Sequence, residues 1–140
     1  MLEEALKGLL AESATVKIGT ASPDGTPWVA TAYFAESGLF RLEVLLEAVG
    51  RTLKNIRNNH RVALMIENGD AIALFAQAEA STNIIDEQHG RIRDAIIAKT
   101  PGSAPLVKLP HLVGVQLNVT RWRVTHVAAG WLPAQALLAP

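Results

Sequence analysis

The 140-residue chain contains no cysteine. That excludes a disulfide framework, a thiolate-bound metal or cluster, and a cysteine nucleophile. It also lacks a charge excess, since 13 basic side chains balance 13 acidic ones. A surface built wholly to bind polyanions is therefore not expected. Aromatic residues make up only 5% of the chain. No apolar run approaches the roughly 20 residues that a membrane helix requires. The first residues carry Glu3 and Glu4 without the basic-then-apolar order of a secretory signal, so a cytoplasmic address is expected. There is no glycine-rich dinucleotide fingerprint, no Walker loop and no HExxH pair. The histidines at 60, 89, 111 and 126 lie too far apart to share one helix or strand face as metal ligands.

What is present is apolar and aliphatic. Hydrophobic residues make up 49% of the chain, and the mean hydropathy of +0.20 is high for a small domain. Such a value points to apolar surface covered by a partner subunit. The length fits one domain able to bury a core without a metal or disulfide staple.

The patterning predicts six strands and three helices. Leu2, Ala5, Leu6, Leu9 and Leu10 have helical spacing. A strand around Val16–Thr20 is followed by Ser22-Pro23-Asp24-Gly25, whose residue types suit a tight turn, and then by a strand over 27–35. A third strand is expected over 39–46, and a short helix after Gly50 that stops at Asn58-Asn59. A buried strand over 61–67, a turn at Asn68-Gly69-Asp70 and a fifth strand over 71–80 come next. Ile85, His89, Ile92 and Ile96 mark one face of a helix over 86–99, with His89 expected in the core. The prolines and glycine of 100–110 read as a loop. The last strand begins near Leu112, and its apolar phase flips at Arg121, which implies a bulge. The tail from Ala128 is small and apolar, with Trp131 isolated in it, and is not among the six strands. The fold class expected is mainly β, an antiparallel barrel with peripheral helices.

One segment stands out chemically. Gly50-Arg51-Thr52-Leu53-Lys54-Asn55-Ile56-Arg57 puts a glycine, an arginine and a hydroxyl at the mouth of a helix that directly follows a strand. Unpaired amides and a partial positive charge make such a helix start an anion site. An arginine fork and a hydroxyl add matched donors for phosphate oxygens. Residues 48–66 include Arg51, Lys54, Arg57, His60 and Arg61 but no acid. The segment reads either as a binding site for a small phosphorylated ligand or as a Thr52-capped helix with a solvated cationic face. A polynucleotide fits less well, because aromatics to stack bases are missing nearby.

The sequence resembles the FMN-binding split barrels of the pyridoxamine-5'-phosphate-oxidase-like superfamily. The resemblance is carried by 15–36 (TVKIGTASPDGTPWVATAYFAE), 39–66 (LFRLEVLLEAVGRTLKNIRNNHRVALMI) and 73–80 (ALFAQAEA). It implies a six-stranded antiparallel split barrel of Greek-key type, formed as one FMN-binding domain over 1–140. It also implies a homodimer with FMN at the interface, its phosphate held by Arg51 and Thr52 and the turn braced by Asn55. Thr31, with Ala30 and Ala32, would approach the isoalloxazine ring. Leu45 and Leu46 would line it, and Gln77 would approach from the fifth strand. Trp122 or Trp131 of the partner subunit would cover the ring edge. The cationic series that contacts the pyridoxal-type substrate in true oxidases has no match, so vitamin B6 oxidation is not implied. The resemblance is compatible with a flavin-dependent oxidoreductase or electron carrier, with a deazaflavin-dependent reductase, and with a non-catalytic dimer that has lost its flavin.

Overall fold

The computed structural model describes residues 1–69 and 73–140. Helix α1 (Leu2–Glu12) leads into strands β1 (Thr15–Ala21), β2 (Pro27–Glu36) and β3 (Arg41–Glu47). Helix α2 (Arg51–Asn58) separates β3 from β4 (Arg61–Glu67) and β5 (Leu74–Ile84). A 3-10 turn (Asp86–Gln88) opens α3 (His89–Lys99), and a second one (Pro101–Ser103) opens the short α4 (Ala104–Val107). The chain ends in β6 (Leu112–His126) and β7 (Trp131–Leu138). The strand order is β3-β2-β1-β4-β5-β6-β7, and β3 also pairs with β6. Six antiparallel strands thus close into a barrel, with β7 as an added outer strand. Asp70 of the expected turn and the first two residues of the expected fifth strand, Ala71 and Ile72, lie outside the described residues.

Alternation drives the closure. On β1, Val16 and Ile18 are fully buried, and on β6, Val115 and Leu117 are as well. These residues meet Phe34, Leu42, Leu64 and Ile66 in one barrel core. The flip in β6 is a bulge: Glu79 pairs with Arg121 and Ala80 with Val119, leaving Thr120 as the extra residue. The bulge turns Trp122 and Val124 inward, where both are fully buried. It also marks where β6 changes partner, from β3 over 112–118 to β7 over 121–126.

A second, smaller core lies outside the barrel, where Ile92 and Ile96 of α3 pack on Ala35, Leu45 and Leu112. Gly114 permits that approach, because a Cβ there would stand 3.0 Å from Ile92 Cδ1 and 3.1 Å from the Ile85 carbonyl. Lys99 anchors the far end of α3, donating to Glu36 Oε1 at 2.7 Å and to the Leu10 carbonyl at 2.8 Å. Burial lowers the Lys99 pKa, partly offset by Glu36.

Three expectations need correction. The segment 101–107 is helical, because Pro101 and Pro105 occupy helix starts, where a missing N–H costs no bond. The tail forms β7, with Gly130 supplying the positive φ of the turn before it. His89 begins α3 half-buried instead of sitting in the core.

Candidate functional site

Strands β2 and β3 pair only at Phe34–Val44, Ala35–Glu43 and Glu36–Leu42. Beyond Phe34 and Val44 they diverge, and β2 over 27–33 keeps only β1 as a neighbour. The Phe34 N–H points toward β1, donating to the Ala14 carbonyl, whereas the Ser37 N–H points toward β3, donating to the Arg41 carbonyl. By strand alternation, the backbone groups of Val29, Thr31 and Tyr33 face the opening. A groove of about 310 Å³ occupies it. Ala30, Thr31 and Ala32 form one wall, Leu45 and Leu46 the other, and Leu106 and Val107 one end.

The first turn of α2 closes the opposite end with Gly50, Arg51, Thr52 and Leu53. Gly50 is the N-cap, and no side chain caps the helix. The Thr52-capped alternative is therefore corrected: Thr52 is the second helical residue and is buried. The Gly50 N–H is used by the Glu47 carbonyl. The amides of Arg51, Thr52 and Leu53 have no intrahelical acceptor, as for any helix start. Arg51, Lys54 and Arg57 are exposed, so the cationic stripe is real and runs from the groove's end along the helix. Glu47 and Arg51 are the charged residues of the lining.

Two polar contacts fix this end. Asn55, 2% exposed, donates its Nδ2 to Thr20 Oγ1 at 3.0 Å and so ties α2 to β1. Trp28 donates its indole N–H to Thr52 Oγ1 at 3.3 Å, and the Arg51 guanidinium carbon lies 4.5 Å from the centre of the Trp28 ring. Nothing in the patterning singled out Trp28. Its signal was an aromatic directly after Pro27, the first residue of β2, in a chain with only 3 tryptophans.

Seven of the nine expected residues line one groove: Ala30, Thr31, Ala32, Leu45, Leu46, Arg51 and Thr52. Asn55 is not in the lining and is buried where α2 meets β1. Gln77 does not join them, because it points outward from β5 into a separate hollow with Glu79, Arg121 and Arg123. Trp122 is fully buried inside its own barrel, donating to the Leu39 carbonyl at 2.7 Å, and so cannot cover a partner's ligand. Trp131 is half-buried against His126, ring edge to face at 5.5 Å.

The family model described as pyridoxamine 5'-phosphate oxidase matches residues 2–126. The chain belongs to the pyridoxamine 5'-phosphate oxidase family. No curated protein matches the sequence. Among solved structures, a heme binding protein from Mycobacterium smegmatis superposes with a TM-score of 0.80 at 14% identity, over 99% of this chain. This chain spans 58% of that longer protein. A conserved hypothetical protein from Mycobacterium tuberculosis gives a TM-score of 0.79 at 21% identity, over 99% of this chain and 93% of that one. An F420 reductase gives 0.70 at 21% identity, over 83% of this chain and 94% of that one. At these identities the likeness is one of fold. The matched segment of the family model takes in the whole groove.

Proposed function

We propose that this family member is a flavin-binding protein that holds FMN in the groove between β2 and β3, as a single domain working in a homodimer. The observation that carries the reading is the convergence of two recognition elements on one groove. One end offers Arg51, the Thr52 hydroxyl and the free amides of α2, which suit a terminal phosphate. The middle offers aliphatic walls and the unpaired backbone edge of β2, which suit a flat, hydrogen-bonding ring system. Flavin supplies hydride and electron transfer when bound, and the protein supplies orientation and access. Among the described residues the titratable side chains of the lining are Tyr33, Glu47 and Arg51, with no histidine or cysteine, which favours an electron-transfer or reductase role. A deazaflavin, which also carries a phosphate on its side chain, is the second reading.

Heme is the ligand named for two of the structural neighbours, the second a heme storage protein from Vibrio cholerae. No histidine, cysteine or methionine lines this groove among the described residues, and Tyr33 is the lining side chain able to ligate iron. The phosphate-matched end thus favours flavin. The dimer is supported by a hollow of about 800 Å³ on the outer face of β1, β4 and β5, floored by Gly19, Ala21 and Ala63. Beside it stand Trp28 and Val29, 40% and 64% exposed. Trp28 lines both this hollow and the groove, so a second subunit seated there would reach the ligand. The test is optical: purified protein is titrated with FMN, with a deazaflavin and with hemin. Saturable quenching of FMN fluorescence is expected, whereas a Soret shift with hemin and no response to either flavin would overturn the proposal.

A further inference from the structure

The geometry points to Trp28 as the positioning residue of the phosphate end, acting through both Arg51 and Thr52. This inference rests on the phosphate-binding reading of the groove and adds the residue that sets its polarity.

Arg51 is a long exposed side chain, and left free it would sample many rotamers. Its guanidinium carbon lies over the Trp28 ring, 4.5 Å from the ring centre, a cation–π contact. That contact holds the charge in place, and the guanidinium N–H groups donate to no protein acceptor among the described residues, which leaves them to bind phosphate oxygens. The second contact acts on the hydroxyl. A threonine hydroxyl has one donor hydrogen and can accept. Trp28 Nε1 can only donate, so at 3.3 Å it takes an acceptor position on Thr52 Oγ1. The single hydroxyl proton is then left to donate, and it has no protein acceptor among the described residues. One indole therefore prepares two donors beside the free amides of α2, and the ordering cost is met before the ligand arrives.

The experiment compares FMN with riboflavin, which has the same ring and no phosphate, on the wild type, Trp28→Phe, Thr52→Val and the double variant. Trp28→Phe keeps a ring face for Arg51 and removes the donor. Trp28 is 40% exposed, so the barrel tolerates the change, and matched circular dichroism and melting curves verify it. Trp28→Phe is expected to weaken FMN about two- to tenfold, the range for one neutral hydrogen bond, and to leave riboflavin unchanged. The double variant is expected to be no weaker than Thr52→Val alone. Equal losses for FMN and riboflavin, or additive losses in the double variant, overturn the role of Trp28. Inorganic phosphate is titrated in parallel, so the two readings fail separately. If the wild type binds no flavin but binds phosphate more tightly than Trp28→Phe, the flavin reading falls and Trp28 keeps its role. Equal phosphate affinity in the two overturns the role of Trp28, and no phosphate binding by the wild type overturns both.

Discussion

Asp24 shows how much one side chain in a turn contributes. Its carboxylate accepts from the Ser22 hydroxyl at 2.5 Å and from the Thr26 N–H at 3.0 Å, closing the hairpin that carries β2 to the groove. These bonds, the Ser22 hydroxyl first, lower its pKa from 3.8 to about 2. Because the folded value lies below the unfolded one, the contribution is fully present above pH 3.8 and is lost as pH falls through about 2. A carboxyl-carbon NMR titration should give a midpoint near the lower value, and a midpoint near 3.8 would mean that the turn is not held this way. Residues of this kind are legible in sequence, since Ser-Pro-Asp-Gly carries its own geometry. Arg51 and Thr52 were legible for the same reason, as a cation and a hydroxyl at a helix start. Gln77 lies apart from that groove because resemblance places a residue along a strand, while the pleat decides its face. On β5, Ala76, Ala78 and Ala80 point inward, which leaves Gln77 and Glu79 outside. Trp28 was missed because its hydrogen-bond partner Thr52 lies 24 residues away, on another element.

Among elements, β6 organises the molecule. One edge of it pairs with β5 along most of its length, while the other edge is taken by β3 before the bulge at Thr120 and by β7 after it. The phase flip at Arg121 made that bulge readable. The tail was not readable as a strand, because its small apolar residues alternate with little contrast and β7 buries little of itself. The segment 101–107 was misread because proline marks helix starts as well as loops. Gly114 is where β6 meets α3, and a side chain there would press on Ile92 and the Ile85 carbonyl. Gly114→Ala should lower stability in urea unfolding by about 1–3 kcal/mol, the range for overpacking a filled site. A midpoint equal to that of the wild type would show that α3 is free to shift outward. Since Leu45 of the groove packs in the same small core as Ile92, the variant should also loosen that wall.

For the whole molecule, the balanced charge conceals a basic helix beside the groove, and the high hydropathy is accounted for in part by apolar surface outside the barrel. A stable interface buries roughly 1,200–2,000 Å² in total, and the hollow on the small-residue face of β1, β4 and β5, flanked by the exposed Trp28 and Val29, is where such a contact is expected. Sedimentation should give about 30 kDa, twice the 15.0 kDa chain. Ala63→Arg, which places a charge on that exposed face, should return the protein to a monomer without unfolding it. Sedimentation of the wild type as one chain at every concentration would contradict the dimer.

The central claim is that the groove holds FMN by its phosphate at the start of α2. Its most direct test is the FMN dissociation constant of Arg51→Ala against that of the wild type. Loss of a charge-assisted bond of about 1.5–3 kcal/mol should weaken FMN roughly tenfold to hundredfold, with the melting temperature unchanged because Arg51 is exposed. An unaltered dissociation constant would contradict the account.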